Sequence, residues 1–156
     1  MVNYYFFWKA FSPFSNWYLC DFTYKGIKFN CSEQAMMWEK CICSDDEIAA
    51  EKVLMETNPQ EQKKIGRSIR NFNAEKWDST KYEIVKDILR HKFSQNTSIK
   101  KTLLKHAGDT FVEASPYDAI WGIGFDEENA MENIDKWGTN LLGKMLTELA
   151  IEFKEM

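Results

Sequence analysis

In the run Glu33-Gln34-Ala35-Met36-Met37-Trp38-Glu39-Lys40, an acid and an amine stand seven residues apart. At about 100° per residue in a helix, Glu33, Met37 and Lys40 share one face, while Glu39 points about 120° away. Glu33 and Lys40 are then about 10 Å apart along the axis, too far for a direct pair and suited to flanking a bound sugar. Met36 and Met37 beside them make that face partly dry, which raises a carboxyl pKa and lowers an ammonium pKa. Both shifts favour catalysis near neutrality. The same placement also suits the helix dipole, with an acid in the first turn and a base near the end.

A second group lies in Glu113-Ala114-Ser115-Pro116-Tyr117-Asp118-Ala119-Ile120-Trp121-Gly122-Ile123-Gly124. Asp118 offers a loop carboxylate, Trp121 a flat ring, and Gly122 and Gly124 let backbone approach a ligand. Asp118 equally suits an Asx-turn and Trp121 a core position. The Gly-x-Gly lacks the strand-turn-helix setting of a dinucleotide fingerprint. Among Lys63, Lys64, Arg67 and Arg70, Arg67 with Lys63 or Lys64 can hold a phosphate, although a solvated helix face explains the same residues. His91 and His106 have no nucleophile or carboxylate in a recognisable triad arrangement. Cys20, Cys31, Cys41 and Cys43 have no CxxC spacing, so they read as reduced thiols packed as small apolar side chains, with no metal site.

These residues need elements to position them. Tyr4–Trp8 and Tyr18–Tyr24 are aromatic and β-branched, and Lys25-Gly26 turns the second run back into Ile27–Phe29, predicting a hairpin. Ser32 is a candidate N-cap for a helix over Glu33–Cys43. Ser44-Asp45-Asp46-Glu47 fits a capping box ahead of Ile48–Glu56. Asn58-Pro59 opens a third helix, running to about Arg70. Tyr82, Val85, Leu89 and Phe93 fall at helical steps in a long helix introduced by Trp77, and Ser98–His106 gives a shorter one. Thr110–Ala114 reads as a strand, and residues 115–140 as a long irregular stretch of the kind that carries function. Leu142, Met145, Leu146, Leu149 and Phe153 restore helical spacing at the end. The sum is an α+β fold, mostly α-helical, with a small antiparallel β-sheet.

Composition bounds the rest. The 156 residues are 44% hydrophobic and 28% charged, with few glycines and prolines and no repeat, which predicts one domain over residues 1–156. Its 11 Phe, 6 Tyr and 6 Trp exceed ordinary core needs, and surplus rings commonly wall a ligand pocket. A net charge of −4 disfavours binding long nucleic acid by phosphate neutralisation, leaving nucleic acid only as a modified substrate. No stretch approaches the ~20 apolar residues of a membrane span, and Tyr4-Tyr5-Phe6-Phe7-Trp8 lacks the features of a signal peptide, so a cytoplasmic protein with no membrane partner is expected.

Taken together, the motifs resemble the NADAR family, whose name refers to NAD and ADP-ribose and which includes an N-glycosidase acting on early riboflavin-pathway intermediates. The resemblance runs from Phe14-Ser15-Asn16-Trp17 through Ser32–Lys40, Gly66-Arg67, Trp77, Lys92-Phe93-Ser94-Gln95-Asn96, Glu113-Ala114-Ser115-Pro116 and Asp118–Gly124 to Asn140-Leu141-Leu142-Gly143. One departure stands at Gln34, where the family often has His. The resemblance implies hydrolysis of a ribosyl C1–N bond with no metal and no cofactor. It points to Glu33, Lys40, Trp77, Asp118 and Trp121 as pocket residues. Joined to the reading of the residues themselves, Glu33, Lys40 and Asp118 are expected to be catalytic and Trp77, Trp121, Arg67, Gly122, Gly124 and Asn16 substrate-binding. Glu33 or Asp118 would protonate the departing nitrogen, and a neutral Lys40 would attack C1 and open the sugar to a Schiff base. In the alternative, one carboxylate stabilises the ribosyl cation while the other activates water. Trp77 or Trp121 would stack on the base and Arg67 would hold phosphate. The expected substrate is a phosphoribosylamine-type small molecule. Removal of ADP-ribose from guanine in nucleotides or nucleic acid, and non-catalytic NAD or ADP-ribose binding, are the alternatives.

Overall fold

Positive φ at both Lys25 (53°) and Gly26 (76°) closes the tight turn that its Lys-Gly sequence predicts. In the computed structural model, which describes residues 1–156, that turn joins strands β2 (Phe22–Tyr24) and β3 (Ile27–Phe29). They pair antiparallel, Phe22 opposite Phe29 and Tyr24 opposite Ile27. Strand β1 (Tyr4–Phe7) precedes them. Helices α1 (Ser32–Cys43), α2 (Glu47–Met55), α3 (Pro59–Arg67), α4 (Ala74–Ser94) and α5 (Thr97–Lys105) follow. Strand β4 (Thr110–Glu113), the one-turn α6 (Glu127–Ala130), a 3-10 stretch (Met131–Lys136) and α7 (Leu141–Lys154) complete the chain. The mostly helical α+β class holds. The chain divides into two compact units, one of residues Asn16–Asn96 and one of Met1–Ser15 with Thr97–Met156.

In the unit Asn16–Asn96, Phe22, Tyr24 and Phe29 pack with Ala35 of α1 and Ile88 of α4. The Gln95 amide caps the outer side of β2, accepting from Thr23 N and donating to Thr23 O, each at 2.7 Å. Helix α1 begins one residue earlier than its sequence suggests. Extended Cys31 takes the N-cap position without a side-chain bond, and Ser32 is already helical because its hydroxyl is drawn to Asn16 instead. At α2 the cap is Asp46, whose carboxylate accepts from Ala49 N at 3.1 Å, so the expected Ser44 box does not form. The Ser44 hydroxyl accepts from Asn73 N and ties down the start of α4. Asn58 and Pro59 start α3 as predicted, but the helix ends at Arg67, three residues before Arg70, with Ser68 as its C-cap. Trp77 lies inside α4 rather than ahead of it, and Val85, Ile88, Leu89 and Phe93 form its buried stripe, with Tyr82 half-exposed. Gly66 lets α3 approach α1, since a Cβ there would collide with Met37 Sδ.

In the other unit, β1 pairs parallel with β4, from Tyr4 opposite Thr110 to Phe7 opposite Glu113. Parallel pairing needs a long crossover rather than a turn, so the local sequence around β1 does not show its partner. Beside β4 stands Asn140, left-handed at φ 53° and buried. Its amide accepts from Glu113 N and donates to Phe111 O, both at 3.0 Å, and so acts as a short substitute strand. Gly143 must lack a Cβ here, because one would strike Phe111 O and the Asn140 amide. The buried face of α7 carries Leu142, Met145, Leu146, Leu149 and Phe153, as expected.

Candidate active site

Glu33 projects from the first turn of α1, where backbone and side chains of residues 16–17 meet it. Its N–H donates to Asn16 O at 2.8 Å, and its Oε1 accepts from the Trp17 indole Nε1–H at 2.8 Å. Neighbouring Ser32 donates its hydroxyl to Asn16 Oδ1 at 2.8 Å. These contacts close a ring of Asn16, Trp17, Ser32 and Glu33 and fix the carboxylate although it is only 5% exposed.

Two turns along the same helix stands Lys40, half-buried, with its Nζ 4.9 Å from the Phe72 ring centroid. Burial pushes its amine below the ordinary lysine value of 10.5, opposed mainly by the charge of Glu33, and the positive charges of Arg67 and Lys81 push it further down. Lys40 thus feels Glu33, Arg67 and Lys81 together. Arg67 is exposed at the end of α3, and Lys63, one turn before it, stands 5.9 Å above the Trp17 ring. The other members of the basic set have partners of their own: Lys64 pairs with Glu61 at 3.2 Å, and the charge of Arg70 acts on Asp46, whose carboxylate also accepts from the Arg70 backbone N–H. Trp77 is buried at 5% exposure, which leaves its ring little face to offer a ligand in this conformation.

The opposite side of α1 explains its remaining polar residues. Glu39 accepts from the Tyr24 hydroxyl at 2.5 Å and pairs with Lys25 at 2.9 Å, so this buried carboxylate anchors the hairpin. Gln34 donates to Val53 O at 3.0 Å, Leu54 O at 3.3 Å and Glu56 O at 3.2 Å, and accepts from Asn30 N at 2.8 Å. With these bonds the Gln34 amide terminates α2. Cys31 and Cys41 are buried free thiols, raised by burial to about 12 and about 11.

In the other unit, Asp118 Oδ1 accepts from both Ile120 N and Trp121 N at 2.9 Å, the Asx-turn arrangement its sequence allowed. The segment that follows is pinned by backbone bonds: Ile123 N to Glu113 O, Asn140 N to Gly122 O, Leu141 N to Ile120 O and Leu142 N to Trp121 O. Gly122 is buried against Glu113 O, where a Cβ would clash, and Gly124 takes a φ of 82°. Both glycines therefore have structural reasons for their type. Trp121 is half-buried. The long segment expected to be irregular is well bonded, and it contains α6 and the 3-10 stretch.

Sequence reasoning left Trp17, Phe72 and Lys92 without a role and gave Ser32 only that of a helix cap. Lys92 had a legible signal, because it falls three residues after Leu89 and seven after Val85 on the apolar stripe of α4. Trp17 sits beside Asn16 in a motif already singled out. Phe72 lies in a connection whose path no local pattern reveals.

A family model described as the NADAR domain matches residues 5–154. An N-glycosidase of Acanthamoeba polyphaga mimivirus is 40% identical over 147 residues, covering 89% of this chain and 86% of that protein. The chloroplastic riboflavin biosynthesis protein PYRR of Arabidopsis thaliana is 35% identical over 107 residues, which are 66% of this chain and 16% of that one. The solution NMR structure of the Escherichia coli protein YbiA superposes with a TM-score of 0.82 at 25% identity, covering 99% of this chain and 88% of that one. No helix is long and apolar enough to cross a membrane. On its sequence, across nearly its whole length, and on its fold, the chain belongs to the NADAR family.

Proposed function

We propose that this chain hydrolyses a ribosyl C1–N bond in a phosphoribosylamine-type intermediate of the riboflavin pathway, with residues 1–156 serving as one functional domain. The coarser part, a hydrolase of N-glycosyl bonds, is supported by the name of the mimiviral relative, and the riboflavin setting by that of the plant relative. The observation that carries the chemistry is the pairing on one helix face of a buried, clamped carboxyl group, Glu33, with an amine, Lys40, whose burial favours its neutral form.

Glu33 is the general acid. An amine anion leaves poorly unless protonated, and Glu33 delivers the proton to the departing nitrogen as the C1–N bond breaks. The lone pair of Lys40 Nζ attacks C1 and Nζ gives a proton to the Glu33 carboxylate. The bond from C1 to the ring oxygen then breaks as the C1=Nζ Schiff base forms, and Glu33 returns that proton to the ring oxygen. Water then adds to C1 of the protonated Schiff base and gives a proton to the Glu33 carboxylate. The C1–Nζ bond breaks as C1=O forms, and the sugar phosphate departs in open form, leaving Lys40 a neutral amine and Glu33 protonated again. Exposed Arg67, whose charge reaches Lys40, and half-buried Lys63, over the Trp17 ring, suit the substrate phosphate. Asn16 contributes by shaping the Glu33 clamp. In this reading Asp118 organises the backbone at residues 120–121, with Trp121, Gly122 and Gly124 in the same bonded segment, and Trp77 packs inside α4.

The net charge of −4 favours a small substrate over modified nucleic acid. The deciding experiment compares release of ribose 5-phosphate from riboflavin intermediates with release of ADP-ribose from modified guanine. Preferential ribose 5-phosphate release is expected. Turnover of the guanine adduct alone would move the substrate to the ADP-ribosyl class, and binding with no product from either would make the chain a binding module.

A further inference from the structure

Lys92 is fully buried within the apolar stripe of α4. An ammonium there loses its hydration, and burial pulls its pKa from 10.5 down to about 8. A Met or Leu at this position would pack beside Val85, Ile88, Leu89 and Phe93 at no such cost, so stability alone does not account for a lysine. Its surroundings are specific. Nζ lies 3.5 Å from Ser32 Oγ, at the outer limit of a hydrogen bond, 5.8 Å from the Tyr18 ring centroid and 5.2 Å from that of Phe93. The Cys20 and Cys31 thiols are among the titratable groups whose fields reach it.

An ammonium can only donate. Ser32 must therefore accept from Lys92, which turns its own hydroxyl proton toward Asn16 Oδ1 at 2.8 Å. Asn16 held in this way presents its backbone oxygen to Glu33 N and carries Trp17, whose indole grips the Glu33 carboxylate. We propose that Lys92 is a positioning residue that, through Ser32 and Asn16, sets the orientation of the Glu33 carboxylate. The proposal rests on the reading of Glu33 as the general acid only for its effect on turnover. Its geometric content stands apart from that reading.

The test is Lys92→Met in the full chain, read by the indole ¹H–¹⁵N resonance of Trp17, by thermal midpoint and by turnover. The Trp17 signal is assigned by its loss in Trp17→Phe. Lys92→Met should melt no lower than the parent, yet shift the Trp17 indole signal upfield as its bond to Glu33 loosens, and lower kcat at least tenfold. A purely structural lysine would give the reverse, a lower midpoint with an unmoved indole signal in the folded fraction, and that result overturns the proposal. If Lys92→Met does not fold, Ser32→Ala breaks the same relay without touching the buried charge. An unshifted indole signal in that variant overturns it equally. A shifted indole signal in Lys92→Met, combined with full activity of Glu33→Gln, would uphold the positioning role and defeat only the catalytic reading. An unmoved signal combined with an inactive Glu33→Gln would defeat only the positioning role.

Discussion

The indole Nε1–H of Trp17 donates to Oε1 of Glu33 at 2.8 Å, joining a residue just ahead of the hairpin to the first turn of α1. A hydrogen bond to a carboxylate contributes about 1.5–3 kcal/mol. Trp17→Phe keeps an aromatic ring beside Lys63 and removes this bond, so kcat should fall by about 10- to 100-fold with the fold retained. Steady-state kinetics beside a circular dichroism spectrum would check it, and unchanged kcat would show that the clamp has no part in the reaction.

Glu33→Gln retains the shape and an acceptor for Trp17 but has no acidic proton. Loss of a general acid lowers rates by about 10²- to 10⁴-fold. The variant should fold, bind substrate and turn over within that deficit. Activity near that of the parent removes Glu33 from the chemistry.

Lys40 is expected to leave a reduced, covalent sugar adduct when borohydride is added during turnover, detectable by peptide mass at residue 40. Because burial lowers its pKa, activity should rise with pH through an inflection below 10.5, as the neutral amine forms. Phe72→Ala exposes the amine to water and should move that inflection upward. No adduct, with Lys40→Ala still active, would leave direct attack by water as the mechanism.

Asn140 combines a left-handed backbone with two bonds to β4. Asn140→Ala loses both bonds and adds backbone strain, for a cost of about 3 kcal/mol or more. Asn140→Gly loses the bonds alone and should be milder by about 1 kcal/mol. Urea denaturation of the two variants gives the comparison, and equal costs would mean the φ at this position is not a constraint.

Alkaline stability should separate Lys92 from the thiols. The folded pKa of Lys92 lies below its unfolded value, so between about pH 8 and 10.5 the unfolded chain binds more protons and this group's destabilising effect fades as pH rises. The buried Cys31 and Cys41 thiols act oppositely, because above pH 9 the unfolded chain loses protons that the folded one keeps. Lys92→Met should exceed the parent in stability at pH 7 by on the order of 3 kcal/mol at most, with the gap narrowing toward pH 10.5. Denaturation of both proteins at pH 7 and pH 10 measures it, and a constant gap would refute the burial account.

Much of this was written in local sequence. The three-to-four-residue spacing of Val85, Leu89 and Phe93 gave α4, Asn58-Pro59 gave the start of α3, and Lys25-Gly26 gave the hairpin, because each depends on a backbone preference that acts within a few residues. The shared face of Glu33 and Lys40 follows from helix period alone. Where two local signals competed, long-range partners decided between them: Ser32 had the chemistry of a cap, but Asn16 claims its hydroxyl, and Ser44 likewise gave its role to Asp46 once Asn73 reached it.

Tertiary structure alone decided the environment of each charge. Sequence shows that Glu33, Glu39 and Lys92 are ionisable, but their burial depends on residues 15 to 60 positions away, Trp17, Tyr24 and Ser32 among them. The parallel pairing of β1 with β4 spans over a hundred residues and leaves no mark on either strand. Periodicity reports which way a side chain faces. What it meets there depends on how distant segments pack, and that contact determines whether a carboxylate braces a hairpin or stands ready to give a proton.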